Sequence, residues 1–133
     1  MSWDIFVQYI PDAVKSAKDM PGDYSPRIIG TRSEIITFIR EIAPFSDFSN
    51  LELVVIDNKE FSIEINLGEK EQIDNFTFHI RGGDLAVGMV SAILQRFNLR
   101  AFDPNSETGI FEPIQSAESL KRSREYRNKI VGE

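Results

Sequence analysis

Glu64, His79 and Arg81 are the side chains of this sequence whose types and spacing could support chemistry. They lie in two segments, FSIEINLG and NFTFHIRG, in which polar residues alternate with Phe and Ile. Alternate residues of a strand share a face, so each segment is predicted to be a strand with one polar and one apolar face. A carboxylate directly across from a histidine could tune the imidazole and make it a general base.

The register of these two predicted strands follows from their apolar faces. The faces must coincide, because a slip of one residue would expose a row of Phe and Ile side chains, each worth about 1.5–3 kcal/mol when buried. Pairing Ile65 with Phe78 satisfies this condition and places Glu64 opposite His79. The same polar face is then predicted to carry Ser62 opposite Arg81, with Asn66 and Thr77 beside them.

Two functions are compatible with such a face. The first is a non-catalytic protein-interaction module, because the same residues are what any solvated antiparallel face displays. The second is a small enzyme or ligand-binding protein in which His79, Glu64 and Arg81 are the catalytic candidates. We favour the first hypothesis, for which the predicted partner contacts are Glu64, Asn66, His79, Arg81, Arg124 and Arg127.

The composition excludes several kinds of site. There is no cysteine and one histidine, which removes disulfides, thiolate catalysis, cysteine-containing metal sites and multi-histidine metal sites. Two acidic groups could supply oxygen ligands, but neither follows the spacing of a calcium-binding loop. These groups are Asp19 with Asp23, and Asp103 with Glu107 and Glu112. We therefore predict no metal and no cofactor.

The charge is unevenly distributed along the chain. The net charge is -6, but residues 116–133 hold five Lys or Arg against three Glu, a net charge of +2, which leaves -8 for the rest. Broad nucleic-acid binding is disfavoured, because phosphate contacts need clustered Lys and Arg. An acidic body of this size suits an immunity-type protein that binds a basic partner, since opposite charge speeds association.

A first helix is predicted after Thr31, whose hydroxyl can cap it in a capping box with Glu34. Isoleucines at helical spacing continue to Pro44, which ends the pattern, and Phe45 and Phe48 are expected to close the edge of the core. WDIFVQYI, ahead of this helix, is predicted to be a strand, and LELVVID, after it, another. A short helical turn is expected from about residue 12 to residue 19.

The RGGD motif at residues 81–84 is interpreted as a corner between a strand and a second helix. It matches neither the Rossmann nor the P-loop spacing, and an aspartate would repel a phosphate. The glycines permit the reversal, and Asp84 is predicted to be the N-cap. The helix is expected over residues 85–97, ending at a left-handed Asn98, with Gly88 allowing close approach to the sheet. Its expected apolar stripe comprises Leu85, Met89, Ala92, Ile93 and Phe97, and Val90 and Leu94 widen it.

These elements predict one α+β domain over residues 1–133. We expect a two-layer sandwich: a mostly antiparallel sheet with two main helices on one face, a small second hairpin after residue 98, and a basic C-terminal helix over about 116–133. Exposed apolar residues such as Phe6 and Tyr126 leave a homodimer open. The expected core is Ile5, Val7, Ile39, Phe61, Ile63, Ile65, Phe78, Ile80, Leu85, Met89 and Ile93.

The expected location is the cytoplasm. The first residues, MSWDIFVQYIPD, have no basic region before their short apolar run and do not resemble a secretory signal. No apolar run approaches the roughly 20 residues that span a bilayer, so no membrane association is predicted.

MSWDIFVQ, HIRGGDLAVGMVSAI and LRAFDP together resemble a group of short bacterial proteins to which no activity is assigned. The resemblance covers the chain to about Pro104 and leaves the basic tail outside. It implies a compact cytoplasmic domain, and it transfers no catalytic residues.

Overall fold

The computed structural model describes residues 3–112, which form a five-stranded antiparallel sheet with two helices packed against one face. The elements are β1 (Trp3–Gln8), β2 (Gly30–Thr31), α1 (Arg32–Ile42), β3 (Leu53–Asp57), β4 (Phe61–Asn66), β5 (Gln72–Ile73), β6 (Asn75–Gly82), α2 (Asp84–Phe97) and β7 (Arg100–Phe102). A short 3-10 turn spans Ala17–Asp19. The strand order in the sheet is β3-β4-β6-β1-β7, and β2 and β5 form a separate two-stranded ribbon.

This architecture confirms the predicted α+β class. The apolar residues of the strands alternate toward the helices and form one buried cluster with them. Phe76 illustrates the packing between the layers, since its ring contacts both Phe78 within β6 and Phe97 of α2. The two helices meet each other through Phe38 and Phe97, whose ring centroids lie 5.3 Å apart. Both helices of residues 3–112 lie on the apolar side of the sheet, as in a two-layer sandwich, and neither lies on the opposite side.

The capping box predicted at the start of α1 is present. The Glu34 amide donates to the Thr31 hydroxyl at 3.2 Å, and the Thr31 amide and hydroxyl donate to the Glu34 carboxylate at 3.1 Å and 3.0 Å. The hydrogen bond from the Thr31 backbone, followed by that from its side chain, holds the pKa of Glu34 below its ordinary value. The helix ends before Pro44, as expected.

The corner between β6 and α2 is structural, but its cap differs from the prediction. Gly83 is the N-cap and Asp84 is the first helical residue. The acidic side chain still lies in the first turn, where the helix dipole favours negative charge. Gly82 has φ +125°, and a Cβ there would lie 2.6 Å from the Cβ of Phe61, so a side chain cannot be accommodated without rearrangement. Asn98 ends the helix in the left-handed conformation, as predicted.

The buried side of α2 is rotated from the expected stripe. Leu85 is 57 % exposed, Ala92 is exposed and Met89 is half-buried. Val90, Ile93 and Leu94 are buried as expected. Leu85 was wrong as a core residue, and Met89 packs against the core while only partly buried. A Cβ at Gly88 would meet nothing within 4 Å, so this glycine does not serve a close approach. The buried row is Ala86, Val87, Val90, Ile93 and Leu94.

Three smaller expectations were also altered. Phe45 is 59 % exposed and does not close the core, whereas Phe48 packs against it. The turn expected over residues 12–19 forms at Ala17–Asp19 alone. The second hairpin reduces to β7 and a single bridge from Phe102 to Ile110. The predicted C-terminal helix over 116–133 lies outside the described residues.

Both edges of the sheet are partly covered, and so is one end of its outer face. Asp47 bridges the free edge of β3, and the chain near residue 110 bridges that of β7. Phe102 lies opposite Phe6 on the outer face and packs against a second apolar cluster.

 The members of this second cluster are Ile10, Val14 and Ile110, with Met20 and Phe102 packed against them. Through Phe102, the cluster lies against the outer face at the β7 end of the sheet.

Replacing Phe78 with Ala should lower the free energy of unfolding by about 3–5 kcal/mol, because the ring is fully buried between the sheet and the helices. Urea denaturation followed by circular dichroism measures this change. Leu85→Ala is the control, since that side chain is mostly exposed and should change stability by less than about 0.5 kcal/mol. Similar midpoints for the two variants would contradict the core assignment.

Substitutions of Gly82 and Gly88 with alanine should change the stability of the protein in opposite directions. Gly82→Ala should destabilise the protein by at least about 1–3 kcal/mol, because of its positive φ and the contact with Phe61. Gly88→Ala should stabilise it by about 0.5–1 kcal/mol, because the site is an open helix interior. Thermal unfolding compares them, and a destabilising Gly88→Ala would show that the helix face is more crowded than described.

Candidate functional site

The polar face of β4 and β6 has the predicted register. Ile65 pairs with Phe78 on the inner face, and Glu64 pairs with His79 on the outer face. Ser62 pairs with Arg81, one row further along. The three catalytic candidates of the sequence are therefore neighbours on one open surface.

A fourth residue, Asp4, completes this group and was missed by the sequence analysis. β1 pairs with the other edge of β6, in a register that places Asp4 opposite His79. The Asp4 Oδ1 atom lies 2.7 Å from the His79 Nδ1 atom. The two residues are 75 positions apart. The alternation in WDIFVQYI does place Asp4 on the face opposite Ile5. The sequence does not show which strand lies beside β1, so it could not place Asp4 next to His79.

The Asp4–His79 contact defines which ring nitrogen carries a hydrogen. An ionised carboxylate can only accept a hydrogen bond, so the His79 Nδ1 atom must be the donor. In an uncharged ring the Nε2 atom is then an acceptor. The side chains of His79 and Asp4 are 39 % and 43 % exposed, so solvent screens the pair and its contribution to stability is small.

These side chains line a shallow depression of about 230 Å³ on the outer face. Glu64 and Asp4 lie on opposite sides of His79, since they belong to the strands on either side of β6. Directly opposite residues in an antiparallel sheet have Cα atoms about 4.5–5.5 Å apart, which puts the two acidic residues about 10 Å apart. The lining residues are Asp4, Ser62, Glu64, His79 and Arg81.

A second polar depression, of about 240 Å³, lies further along the same two strands. Asn66 and Thr77 line it and form the next outward row after Glu64 and His79. Asn66, a predicted partner contact, also accepts a hydrogen bond from the Gly68 amide at 3.1 Å, which shapes the loop after β4. The loop side of the depression includes Glu69, Lys70 and Asp74.

The described part of the chain is strongly acidic. Residues 3–112 carry a net charge of -8, because the charged residues outside them are those of the basic tail. Two arginines in this part, Arg32 and Arg100, donate to backbone carbonyl groups. Arg81 lines the first depression. The other three lie 3.9–4.6 Å from the centres of aromatic rings: Arg27 at Tyr9, Arg40 at Phe48 and Arg96 at Phe38.

Asp103 and Asp19, one from each acidic group that the sequence offered as oxygen ligands, form hydrogen bonds within the protein. Asp103 is 2 % exposed, accepts hydrogen bonds from the Trp3 ring and the Asn105 amide, and so anchors a turn. Asp19 accepts from the Lys15 and Ser16 amides. Within residues 3–112, no three His, Asp or Glu side chains are placed together to hold a metal ion. Arg124 and Arg127, the other predicted partner contacts, lie outside the described residues.

No family model, no curated protein and no solved structure matches this chain. None of the helices within residues 3–112 has the length and apolar character needed to cross a membrane.

The Asp4–His79 hydrogen bond predicts a particular tautomer of the ring. In alkaline solution, two-dimensional ¹⁵N–¹H spectra of the imidazole should show the hydrogen on Nδ1, because Asp4 accepts it there. Asp4→Ala should shift the population toward the Nε2–H tautomer, whereas Asp4→Asn retains an acceptor oxygen and should shift it less. An Nε2–H tautomer in the unmodified protein would contradict the described contact.

Proposed function

We propose that this chain is a small, non-catalytic interaction module that binds a basic protein partner through the outer face of its sheet. The observation that supports the proposal best is the open depression around Asp4, Glu64 and His79, on the face that neither helix of residues 3–112 covers. An antiparallel sheet can leave one face to water, and such a face is accessible to a partner.

The charge of the body supports a basic partner. A net charge of -8 over residues 3–112 produces a negative potential that attracts cationic surfaces and raises the association rate. Two carboxylates at the centre of the face then supply local contacts once the partner has arrived. Immunity-type neutralisation of a basic toxin, in the bacterial cytoplasm, is one biological role that uses these properties.

A small enzyme is the second candidate, and the Asp4–His79 hydrogen bond is the observation that favours it. A carboxylate that orients one nitrogen of an imidazole is a common arrangement for a general base. However, Ser62 forms no hydrogen bond with His79 in the described part of the chain, so no nucleophile is in place beside it. The depression also falls below the range of about 300–1,000 Å³ that is typical of small-molecule and cofactor pockets.

The interaction proposal is tested by affinity capture with charge-matched variants. Asp4→Asn with Glu64→Gln removes two charges from the face, and Asp12→Asn with Asp23→Asn removes two exposed charges elsewhere. We expect the unmodified protein to capture a basic protein from a lysate of its source organism at low salt. The variant with both substitutions on the face should bind this protein roughly tenfold more weakly or worse, which corresponds to a loss of about 1.4 kcal/mol of binding free energy.

The control variant and the salt dependence test whether capture depends on the charges of the outer face. Capture by the Asp12 and Asp23 variant should fall little, and capture by the unmodified protein should fall as salt increases, because ions screen surface charge. Equal capture by all three proteins would show that the outer face is not the binding surface. Catalytic turnover that is lost in a His79→Gln variant would instead favour the enzyme.

A further inference from the structure

We propose that the depression between β4, β6 and β1 is a guanidinium site, which takes one arginine side chain of the partner. This inference rests on the proposed function and names the group that the face recognises. It is carried by three properties of the depression: the set of acceptor atoms, the net charge and the size.

The first property is the arrangement of hydrogen-bond acceptors. The Asp4 Oδ1 atom accepts from His79, which leaves the Oδ2 atom of the same carboxylate. With its hydrogen on Nδ1, an uncharged His79 ring presents Nε2 as an acceptor. The Glu64 carboxylate lies on the other side of the ring and forms no hydrogen bond or ion pair among residues 3–112. Three acceptors in a row suit a ligand that only donates.

The second property is the charge of the lining residues. Asp4 and Glu64 contribute two negative charges, Arg81 contributes one positive charge, and the imidazole is counted as uncharged. The sum is one negative charge, which a single monovalent cation neutralises. A phosphate or carboxylate ligand would instead have to approach two carboxylates and add to the negative charge, which is unfavourable.

The third property is size, and it separates a single side chain from a larger ligand. A depression of about 230 Å³ is smaller than typical pockets for cofactors and drug-sized molecules. It lies open on the surface, so a side chain can enter it while the rest of the partner stays outside.

Arginine fits this arrangement better than lysine. The guanidinium group is flat and has five donors in a rigid fork, so it can donate to acceptors on both of its edges. The acceptors of Asp4 and Glu64 lie on opposite sides of His79. The ammonium group of lysine is a compact point charge and would reach one side at a time. Arginine is also enriched among the residues that dominate protein interfaces.

The charge of Arg81 affects how strongly the depression binds a cation. Its positive charge opposes an incoming cation, so it weakens the site and limits it to one guanidinium group. Arg81→Gln should therefore raise the affinity for an arginine ligand. If the depression held an anion, the same substitution would lower the affinity for that anion.

The test uses small blocked amino acids as probes of the full-length protein. Nα-acetyl-arginine N-methylamide is titrated into ¹⁵N-labelled protein and followed by amide and imidazole chemical shifts. The citrulline analogue has the same shape without the charge, and the lysine analogue has the charge without the fork. Acetate is titrated separately as a probe for anion binding.

We expect saturable shifts centred on Asp4, Glu64 and His79 with the arginine probe, at least fivefold weaker binding of the lysine probe, and no saturation with citrulline. Asp4→Asn with Glu64→Gln should weaken the arginine probe about tenfold, and Arg81→Gln should strengthen it. The Asp12→Asn and Asp23→Asn variant should bind like the unmodified protein. Chemical-shift dispersion of each variant confirms that it is folded.

Equal binding of arginine and citrulline would overturn the guanidinium site, as would acetate binding that Arg81→Gln abolishes. The result is separable from that of the capture experiment. Face-dependent capture without arginine selectivity would refute the site but leave the interaction module standing. Arginine selectivity without face-dependent capture would support the site and refute the interaction module.

Discussion

β6 is paired on both sides in a single register, and the remaining structure depends on this pairing. Its inward residues Phe76, Phe78 and Ile80 are all buried, so a slip of one position against either neighbour would expose them. The apolar cost of such a slip is larger than the usual contribution of any polar contact on the face. The outward residues are therefore positioned by the packing of the inward ones.

This constraint explains how a polar group forms without strong interactions of its own. Asp4, His79 and Glu64 lie in one row because three strands are held in register by the core beneath them. The Asp4–His79 pair is half exposed and adds little to stability. A ligand that competes for the Asp4 carboxylate would therefore cost the fold little, because the fold does not depend on the Asp4–His79 pair.

The arginines of residues 3–112 have different roles. Those that donate to backbone carbonyl groups or lie over aromatic rings support loops and helices. Arg81 is placed on the open face beside two carboxylates instead. The depression that Arg81 lines therefore carries two carboxylates and one guanidinium group, and the proposed cationic partner complements this local charge.

Local patterns in the sequence determined the α+β class, the capping box at Thr31, the left-handed end at Asn98 and the pairing of Ile65 with Phe78. Each depends on neighbouring residues or on strict alternation, so the chain alone contains the information. The buried side of α2 was misjudged, because that helix is apolar around much of its circumference and the contact with the sheet selects the row. The addition of β1 beside β6 depends on long-range packing between residues 75 positions apart, so only the tertiary structure brought Asp4 to His79.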